Sequence, residues 1–104
     1  MIVEYIRYHI DEDRRQAFED GYATAQASLQ SSTHCLGWDL TRCTEDPTQY
    51  ILRIEWDSSE GHLQGFRRSP DFPAFFAAVR PFVDDIQEMR HYESTDIKGS
   101  KAVV

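Results

Sequence analysis

Alternating apolar and polar residues predict four β-strands in this chain. They cover residues 2–10, 35–44, 49–56 and 84–93, and the last of them is the most polar. Residues that are β-branched or aromatic, which favour the pleated conformation, are frequent in the first three. The polar stretch 45–48 between the second and third strands is typical of a hairpin turn. The chain is therefore expected to form a sheet with at least one antiparallel pair.

Helical periodicity occupies the first long gap between strands. The helix is predicted over about residues 12–31, and the spacing of Asp13 and Gln16 predicts a capping box at its start. Apolar residues recur in this segment at helical steps, which places them on one stripe that would face the sheet. The stripe consists of Phe18, Tyr22, Ala25 and Leu29.

A broken helix is predicted before the last strand. Its first half runs from residue 58 to about residue 68, and Asp57 with Glu60 predicts a second capping box. Ser69 and Pro70 are expected to end this half and to start the next one, as N-cap and first helical residue. The apolar residues of the two halves are Leu63, Phe66, Phe72, Phe75, Phe76 and Val79.

The order of elements predicts the fold class. Strand, helix, strand, strand, broken helix and strand make an α+β protein with the ferredoxin-like, split βαβ fold, whose antiparallel sheet carries both helices on one face. Residues on the other face, such as Tyr5, Trp38 and Ile51, would be exposed to water. Two copies packed sheet to sheet would bury them, so we predict a homodimer. The domain is expected over 1–93, followed by 94–104 as a flexible tail or an arm that contacts the partner subunit.

Charge and length limit the functions of the chain. With 104 residues it is expected to form one domain, and its formal net charge of −7 disfavours nucleic acid and membrane surfaces as partners. The first residues lack the basic region of a secretory signal. If Cys35 and Cys43 lie on one strand, about 26 Å separates them, too far for a disulfide. Reduced thiols and the lack of a signal predict a cytoplasmic protein.

Aromatic residues are concentrated between the third strand and the end of the broken helix. Five of them fall within 21 residues and would form an apolar wall beside the sheet. Such a wall is either ordinary core or the lining of a pocket for a flat hydrophobic molecule, and the residues by themselves leave both interpretations open. The five are Trp56, Phe66, Phe72, Phe75 and Phe76.

The same segments resemble the antibiotic biosynthesis monooxygenase (ABM) family of the dimeric α+β barrel superfamily. The resemblance depends on Glu-Trp at 55–56, on the segment 60–66 and on Ser-Pro-Asp-Phe at 69–72, and it covers about residues 2–93. It implies a homodimer with a pocket between sheet and helices in each subunit. It also implies one of two activities: oxidation of aromatic polyketide intermediates by O₂ without metal or flavin, or binding and degradation of haem.

The haem chemistry fits this chain poorly. Both activities of the family use a pocket asparagine, and this sequence contains none. The resemblance places the tryptophan and the iron-binding histidine of the haem-degrading relatives at Phe66 and Phe76. Because phenylalanine cannot coordinate iron, we predict that the protein uses no cofactor, with haem as the disfavoured alternative.

Histidine and arginine are the candidates for catalysis without a cofactor. Oxidation of a phenol needs a base for the phenolic proton and a cation or donor for the resulting anion. Among His9, His62 and His91, each of which could also be a surface residue, we select His62 as the base. Arg53 is selected to hold the anion. Arg7 and Arg53 both interrupt apolar strands, and pairing with acidic residues across the sheet is the alternative for both.

The predicted function is cofactor-independent monooxygenation of a hydrophobic, phenolic aromatic molecule. Two alternatives remain: a non-catalytic domain of the same fold that binds haem or another flat ligand, and a polyketide cyclase or isomerase. The sequence has no motif for a nucleotide or a structural metal, so no metal site is predicted. Besides His62 and Arg53, the predicted substrate contacts are Trp56, Phe66, Phe72, Phe76, Tyr5, Arg7 and His91.

Overall fold

Four antiparallel strands form the sheet that the alternating pattern predicts. The computed structural model describes residues 1–101, except for the side chain of Leu63. The strands are β1 (Ile2–His9), β2 (Cys35–Arg42), β3 (Gln49–Trp56) and β4 (Ile86–Glu93). Their order across the sheet is β2-β3-β1-β4, which is the ferredoxin-like order. The predicted α+β fold class is therefore confirmed.

Helical segments fill the two long gaps between strands, as the periodicity predicts. The long helix α1 follows a short 3₁₀ turn, and the broken helix consists of a π-helical segment, the helix α2 and a further 3₁₀ turn. The bounds are Glu12–Arg14 for the first turn, Arg15–Ser31 for α1, Gly61–Phe66 for the π-helical segment, Phe72–Val79 for α2 and Arg80–Asp85 for the last turn.

The hydrophobic core lies between the helices and one face of the sheet. All four residues of the predicted stripe on α1 are buried. They pack against the inward-facing residues of β3, which are Tyr50, Leu52, Ile54 and Trp56. The ring of Phe18 lies 4.8 Å from the rings of both Tyr8 and Tyr50, measured between centroids. The inward-facing residues of the strands and the apolar stripe of α1 thus pack together in one core.

The predicted capping boxes are wrong. Asp13 lies inside the first 3₁₀ turn, and the side chain of Gln16 donates a hydrogen bond to Asp20 at 3.0 Å instead of folding back on the helix start. At the broken helix the cap is Ser58, whose hydroxyl oxygen accepts the N–H of Gly61 at 2.9 Å. The difference arises because several polar residues compete for each helix end, and spacing does not decide among them.

The second half of the broken helix begins later than predicted. The hydroxyl oxygen of Ser69 accepts the N–H of Asp71 at 3.2 Å, while its own proton is donated to the carbonyl of Phe66 at 2.7 Å. Ser69 therefore stabilises a turn, and α2 starts only at Phe72. The turn orients α2 so that Phe75 is buried against the core.

The edge strand β2 departs from the predicted alternation. A bulge near Leu36 lets Cys35 pair with Trp56 and Gly37 with Glu55, and Leu36 is exposed. Trp38 was expected on the uncovered sheet face. Instead its indole Nε1 donates a hydrogen bond to Gln26 of α1 at 3.2 Å, so Trp38 lies on the helical side.

Apolar residues do lie exposed on the sheet face that points away from α1. Tyr5 and Ile51 are both exposed there, as predicted. Tyr92 of β4 is also exposed and packs edge-on against Tyr5, with 5.5 Å between ring centroids. In the single chain this face therefore presents a patch of aromatic and aliphatic surface.

One backbone hydrogen bond joins the two ends of the domain. Ser94 donates its backbone N–H to the carbonyl of Met1 at 2.9 Å, and residues 95–101 follow without helix or strand. The rest of the predicted tail, 102–104, lies outside the described residues. Cys35 and Cys43 are both free thiols. Among the helices of residues 1–101, none has the length and apolar character to cross a membrane.

Candidate functional site

A cavity of about 280 Å³ opens between the sheet and the broken helix. Its wall is mostly apolar and rich in aromatic residues, and it includes four of the seven predicted substrate contacts, together with Phe75 and Tyr8. The four are Trp56, Phe66, Phe72 and Phe76. The aromatic residues that the sequence groups together therefore surround a space of the size that suits a small ring system.

Aromatic side chains pack against one another around this space. The ring centroid of Phe66 lies 5.0 Å from that of Trp56 and 5.3 Å from that of Phe75. Phe72 and Phe76 stack with 5.7 Å between their rings. Phe66 is fully buried, whereas Phe76 is 40% exposed. The buried rings fix the inner wall, and Phe76 lies toward solvent.

One group of polar side chains interrupts the apolar wall. We call Glu4, His62 and His91 the polar cluster. The Nε2 atom of His62 lies 3.4 Å from Oε2 of Glu4, and Nε2 of His91 lies 3.2 Å from the same oxygen. The other carboxylate oxygen of Glu4, Oε1, accepts a hydrogen bond from the indole Nε1 of Trp56 at 3.1 Å. One carboxylate oxygen thus faces two imidazoles, while the other is held by the indole.

Glu4 is an ionisable group in an almost fully enclosed position, with 2% of its surface exposed. Burial by itself raises the pKa of its carboxyl group. The contact with His62, the hydrogen bond from Trp56 and the nearby His91 outweigh burial, so the pKa lies below the ordinary value of 4.5. The carboxylate is therefore ionised near neutral pH and supplies a negative charge at the cavity wall.

His62 is buried with incompletely satisfied ring nitrogens. It is 5% exposed, its Nδ1 has no hydrogen-bond partner among residues 1–101, and its Nε2 has only the contact with Oε2 of Glu4, which at 3.4 Å is longer than an ordinary hydrogen bond. Its ring lies between those of Trp56 and His91. The centroid distances are 4.6 Å to Trp56 and 5.1 Å to His91. Because a buried polar group without a partner is costly, such a group in a native fold is a candidate for contact with a ligand or for a role in a reaction.

The π-helical segment fixes the position of His62. The N–H of Arg67 bonds to the carbonyl of His62 at 3.3 Å, five residues back, which widens this turn. Gly61 and Gly65 let the segment approach its neighbours, because a Cβ at either position would overlap side-chain atoms of Asp57 or His34. His34, which follows a polar loop and would be expected in solvent, instead contacts Asp57 at 2.9 Å and is half-buried.

Two tyrosines line the cavity at another part of its wall. The hydroxyl groups of Tyr8 and Tyr22 share a hydrogen bond of 2.5 Å. Burial raises the pKa of Tyr8 to about 12 and raises that of Tyr22 as well. Both phenols are therefore neutral at physiological pH, and neither can serve there as a phenolate base.

The structure separates the predicted catalytic pair. His62 lines the cavity, but Arg53 points to the opposite face of the sheet, where it forms an ion pair with Glu55 at 2.9 Å. Tyr5, on the same face, accepts a hydrogen bond from Nε of Arg53 at 3.4 Å. Arg7 also lies on that face, and it donates to the side chain of Gln49 at 3.4 Å. Because side chains alternate along a strand, these three residues cannot share a cavity with Ile6 and Ile54 of the same chain.

The remaining predicted histidines lie at different places. His91 on β4 pairs with Glu4 on β1 in the strand register and completes the polar cluster. His9 lies at the end of β1, 3.4 Å from Asp11, and is away from the cluster. Of the polar residues predicted from sequence for the site, the structure thus brings His62 and His91 together.

Sequence reasoning missed Glu4 and Arg67, which both line the cavity. A signal for Glu4 is visible in the strand pattern. It occupies an inward position between Ile2 and Ile6, where the alternation calls for an apolar residue. An acidic residue that is buried needs a hydrogen-bond donor or a positive charge nearby, and histidines are candidates for that partner. For Arg67, at the end of the π-helical segment, no comparable signal exists.

The fold and the site together define a small ferredoxin-like α+β protein with an aromatic cavity and a buried carboxylate-histidine cluster in its wall. The model of the family described as antibiotic biosynthesis monooxygenase matches residues 1–78, about three quarters of the chain. The chain therefore belongs to the antibiotic biosynthesis monooxygenase family, as the resemblance predicted.

Individual relatives agree with this assignment. YczJ of Bacillus subtilis (strain 168), an uncharacterized protein, is 28% identical over 93 residues, which are 89% of this chain and 98% of YczJ. A crystal structure from Bordetella bronchiseptica, named for the same family, is 26% identical with a TM-score of 0.72 and covers 90% of this chain and 96% of its own. A conserved protein of Methanosarcina mazei Go1 shares the fold, with a TM-score of 0.75 at 18% identity, over 90% of this chain and 92% of its own. At the level of the family, the family model and the Bordetella bronchiseptica structure support a monooxygenase.

Proposed function

We propose that the protein is a monooxygenase that oxidises a hydrophobic, phenolic aromatic molecule with O₂ and without an added cofactor. The observation that carries the proposal is His62, a buried imidazole at the wall of the cavity, whose Nδ1 has no hydrogen-bond partner among the described residues and whose Nε2 faces Glu4. In this role His62 accepts the phenolic proton. The ionised Glu4, 3.4 Å from its Nε2, stabilises the imidazolium that forms.

The cavity supplies the other requirements of the reaction. Its aromatic walls bind a flat ring and exclude water from the electron-rich phenolate. Arg67 lines the cavity and is the candidate to hold the anion, in place of Arg53. A phenol supplies the electrons itself: one oxygen atom of O₂ enters the ring to give a quinone, and the other leaves as water with two hydrogens of the substrate. No external reductant is needed.

The proposal includes a cytoplasmic homodimer. The exposed patch around Tyr5, Ile51 and Tyr92 supports pairing of two sheets, because burial of such a patch is favourable. The free thiols of Cys35 and Cys43 suit a reducing compartment. Sedimentation of the purified protein tests the oligomeric state, and a stable monomer at micromolar concentration would overturn this part of the proposal.

Oxygen uptake tests the catalytic role of His62. Protein treated with a chelator is mixed with 1-naphthol or a similar phenol, and O₂ consumption is followed with an electrode. Wild type should consume O₂ faster than buffer, and His62→Ala should lose about 100-fold or more of that rate, as is typical for a general base. His34→Ala is the control, since it removes a half-buried histidine that also lies beside a carboxylate but outside the cavity. Equal rates in wild type and His62→Ala would remove His62 from the mechanism.

The absence of asparagine from the sequence favours one alternative, a non-catalytic domain that binds haem or another flat ligand. In that case the aromatic walls bind the ligand and the polar cluster only orients it. A visible spectrum distinguishes the two functions. A Soret band that survives gel filtration would support a haem-binding protein and contradict the cofactor-free enzyme.

A further inference from the structure

The polar cluster has the composition of a metal site. It combines two imidazoles and one carboxylate, and one ligand atom from each of Glu4, His62 and His91 lies within 4.8 Å of the other two. Two imidazole nitrogens and a carboxylate oxygen form the donor set that first-row divalent transition metals use when the protein leaves coordination positions open. We propose that the polar cluster binds one such ion, for which Co²⁺, Fe²⁺ and Zn²⁺ are candidates.

The distances within the polar cluster match those between ligands of one ion. Nitrogen and oxygen ligands lie about 2.0–2.2 Å from such a metal, so neighbouring ligand atoms are about 3.0–3.4 Å apart in octahedral or tetrahedral geometry. The contacts of Oε2 of Glu4 with Nε2 of His91 and of His62 are 3.2 and 3.4 Å. The histidine nitrogens lie within 4.8 Å of each other, so a small shift of the side chains would bring all three ligand atoms to these separations.

The free nitrogens of His62 are the second observation that points to a ligand. The side chain of His62 is 6% exposed, and the 3.4 Å contact of its Nε2 with Oε2 of Glu4 is longer than an ordinary hydrogen bond. Neutral imidazole offers a lone pair that a metal ion can accept, and this contact would satisfy a ring nitrogen that residues 1–101 leave without a hydrogen bond.

Trp56 supplies the support that a metal-binding carboxylate usually has. Its indole N–H holds Oε1 of Glu4, and this leaves Oε2 directed at both histidines. Hydrogen bonds of this kind orient ligands and are characteristic of metal sites. The same contact limits Glu4 to one ligand atom, which favours a transition metal over Ca²⁺, because Ca²⁺ prefers six to eight oxygen ligands.

Charge also favours a cation at this place. An ionised carboxylate that is 2% exposed needs a positive partner nearby. A divalent ion provides this charge. Glu4 and His62 line the cavity, so the ion would lie at the cavity wall, where a small molecule can reach it.

This site goes beyond the proposed function and does not depend on it. In the proposed oxidation His62 accepts a proton, whereas a bound ion would occupy the nitrogen that faces Glu4. The protein loaded with metal and the metal-free protein should therefore differ in reactivity, but the binding itself can be measured without any turnover.

Titration with CoCl₂ tests the site, because the visible bands of Co²⁺ change when protein nitrogens replace water. The full chain, freed of metal with a chelator, is titrated in a non-coordinating buffer and followed by absorbance and by calorimetry. One Co²⁺ per chain should bind. His91→Ala should weaken binding by about 100-fold, since loss of a ligand costs at least as much as loss of its supporting groups. The side chain of His91 is 38% exposed, so this variant should fold.

His34→Ala is again the control and should bind Co²⁺ as the wild type does, because His34 contacts Asp57 outside the polar cluster. The conservative variant Glu4→Gln should also weaken binding, since it removes the charge but keeps the side-chain shape. Wild type that shows no spectral change up to millimolar Co²⁺ would overturn the proposal. So would a His91→Ala variant with unchanged affinity, or a His34→Ala variant that loses the ion.

Discussion

Trp56 donates its indole N–H to Oε1 of Glu4 at 3.1 Å, and both residues are buried. This one contact joins the end of β3 to the start of β1. It also determines which oxygen of the carboxylate is available to the two histidines. The relationship therefore connects the stability of the fold to the chemistry of the site.

Replacement of Trp56 by phenylalanine should be more destabilising than the same change at Trp38. In Trp56→Phe the carboxylate of Glu4 loses a buried hydrogen bond, which costs about 1–3 kcal/mol in addition to lost packing. In Trp38→Phe the lost partner is the exposed side chain of Gln26, so that contribution should be below about 1 kcal/mol. Urea unfolding of both variants provides the comparison. Equal losses would contradict the importance of the Trp56–Glu4 contact.

The close packing of Gly65 against His34 predicts a coupled pair of variants. Gly65→Ala should destabilise the protein by about 1–3 kcal/mol, because its methyl group overlaps the ring of His34. If the overlap is the cause, His34→Ala should remove most of the penalty from the double variant. Chemical denaturation of the two single variants and the double variant measures this coupling. Strictly additive effects would show that Gly65 is needed for another reason.

Stability at alkaline pH should report on the Tyr8–Tyr22 pair. Burial raises the pKa of Tyr8 to about 12 and raises that of Tyr22, so the folded protein keeps protons that the unfolded chain releases above about pH 10. The two tyrosines therefore make their full contribution to the free energy of unfolding below pH 10. This contribution is lost as the pH rises toward 12, at about 1.4 kcal/mol per pH unit for each tyrosine.

The control for this prediction is the double variant Tyr8→Phe/Tyr22→Phe. All other titrating groups are the same in both proteins, so the free energy of unfolding should fall less steeply between pH 10 and 11 in the variant. The measurement is urea unfolding at closely spaced pH values. Parallel curves for the two proteins would mean that neither tyrosine has a raised pKa.

Phe66 and Phe76 should contribute differently to the stability of the protein and to the binding of an aromatic ligand. Phe66 is fully buried, and Phe66→Ala should cost about 3–5 kcal/mol of stability. Phe76 is 40% exposed, so Phe76→Ala should cost much less but should weaken the binding of a flat aromatic probe. Thermal unfolding and the fluorescence of a bound naphthalene dye separate the two effects. A Phe76→Ala variant that binds the dye normally would place the probe elsewhere.

The sequence predicts the fold well because the fold depends on repeated patterns. The alternation in β1 and β3 and the stripe from Phe18 to Leu29 each involve several residues, so one exception does not change the outcome. The helix starts were predicted less well. Asp57 has the right spacing for a cap, but it contacts His34 instead, and Ser58 takes its place. Such local competition is decided by tertiary contacts.

The site was predicted only in part for a related reason. His62 and the aromatic residues belong to one stretch of sequence, and the pattern there is informative. Glu4 and His91 come from the two ends of the chain and meet through the pairing of β1 with β4. Arg53 was selected by its residue type, but its position in the alternation of β3 turns it away from the cavity. The face of a strand decides which side chains can act together, and residue type alone does not.

The imidazole of His62 is the centre of this account, and its nitrogen resonances test the account most directly. In protein labelled with ¹⁵N at histidine, 1-naphthol is added, and the His62 signals are identified by their loss in His62→Ala. The account predicts that the His62 nitrogens shift as the phenol binds, while those of His34 do not. A phenol that binds the protein and leaves the His62 resonances unchanged would contradict it.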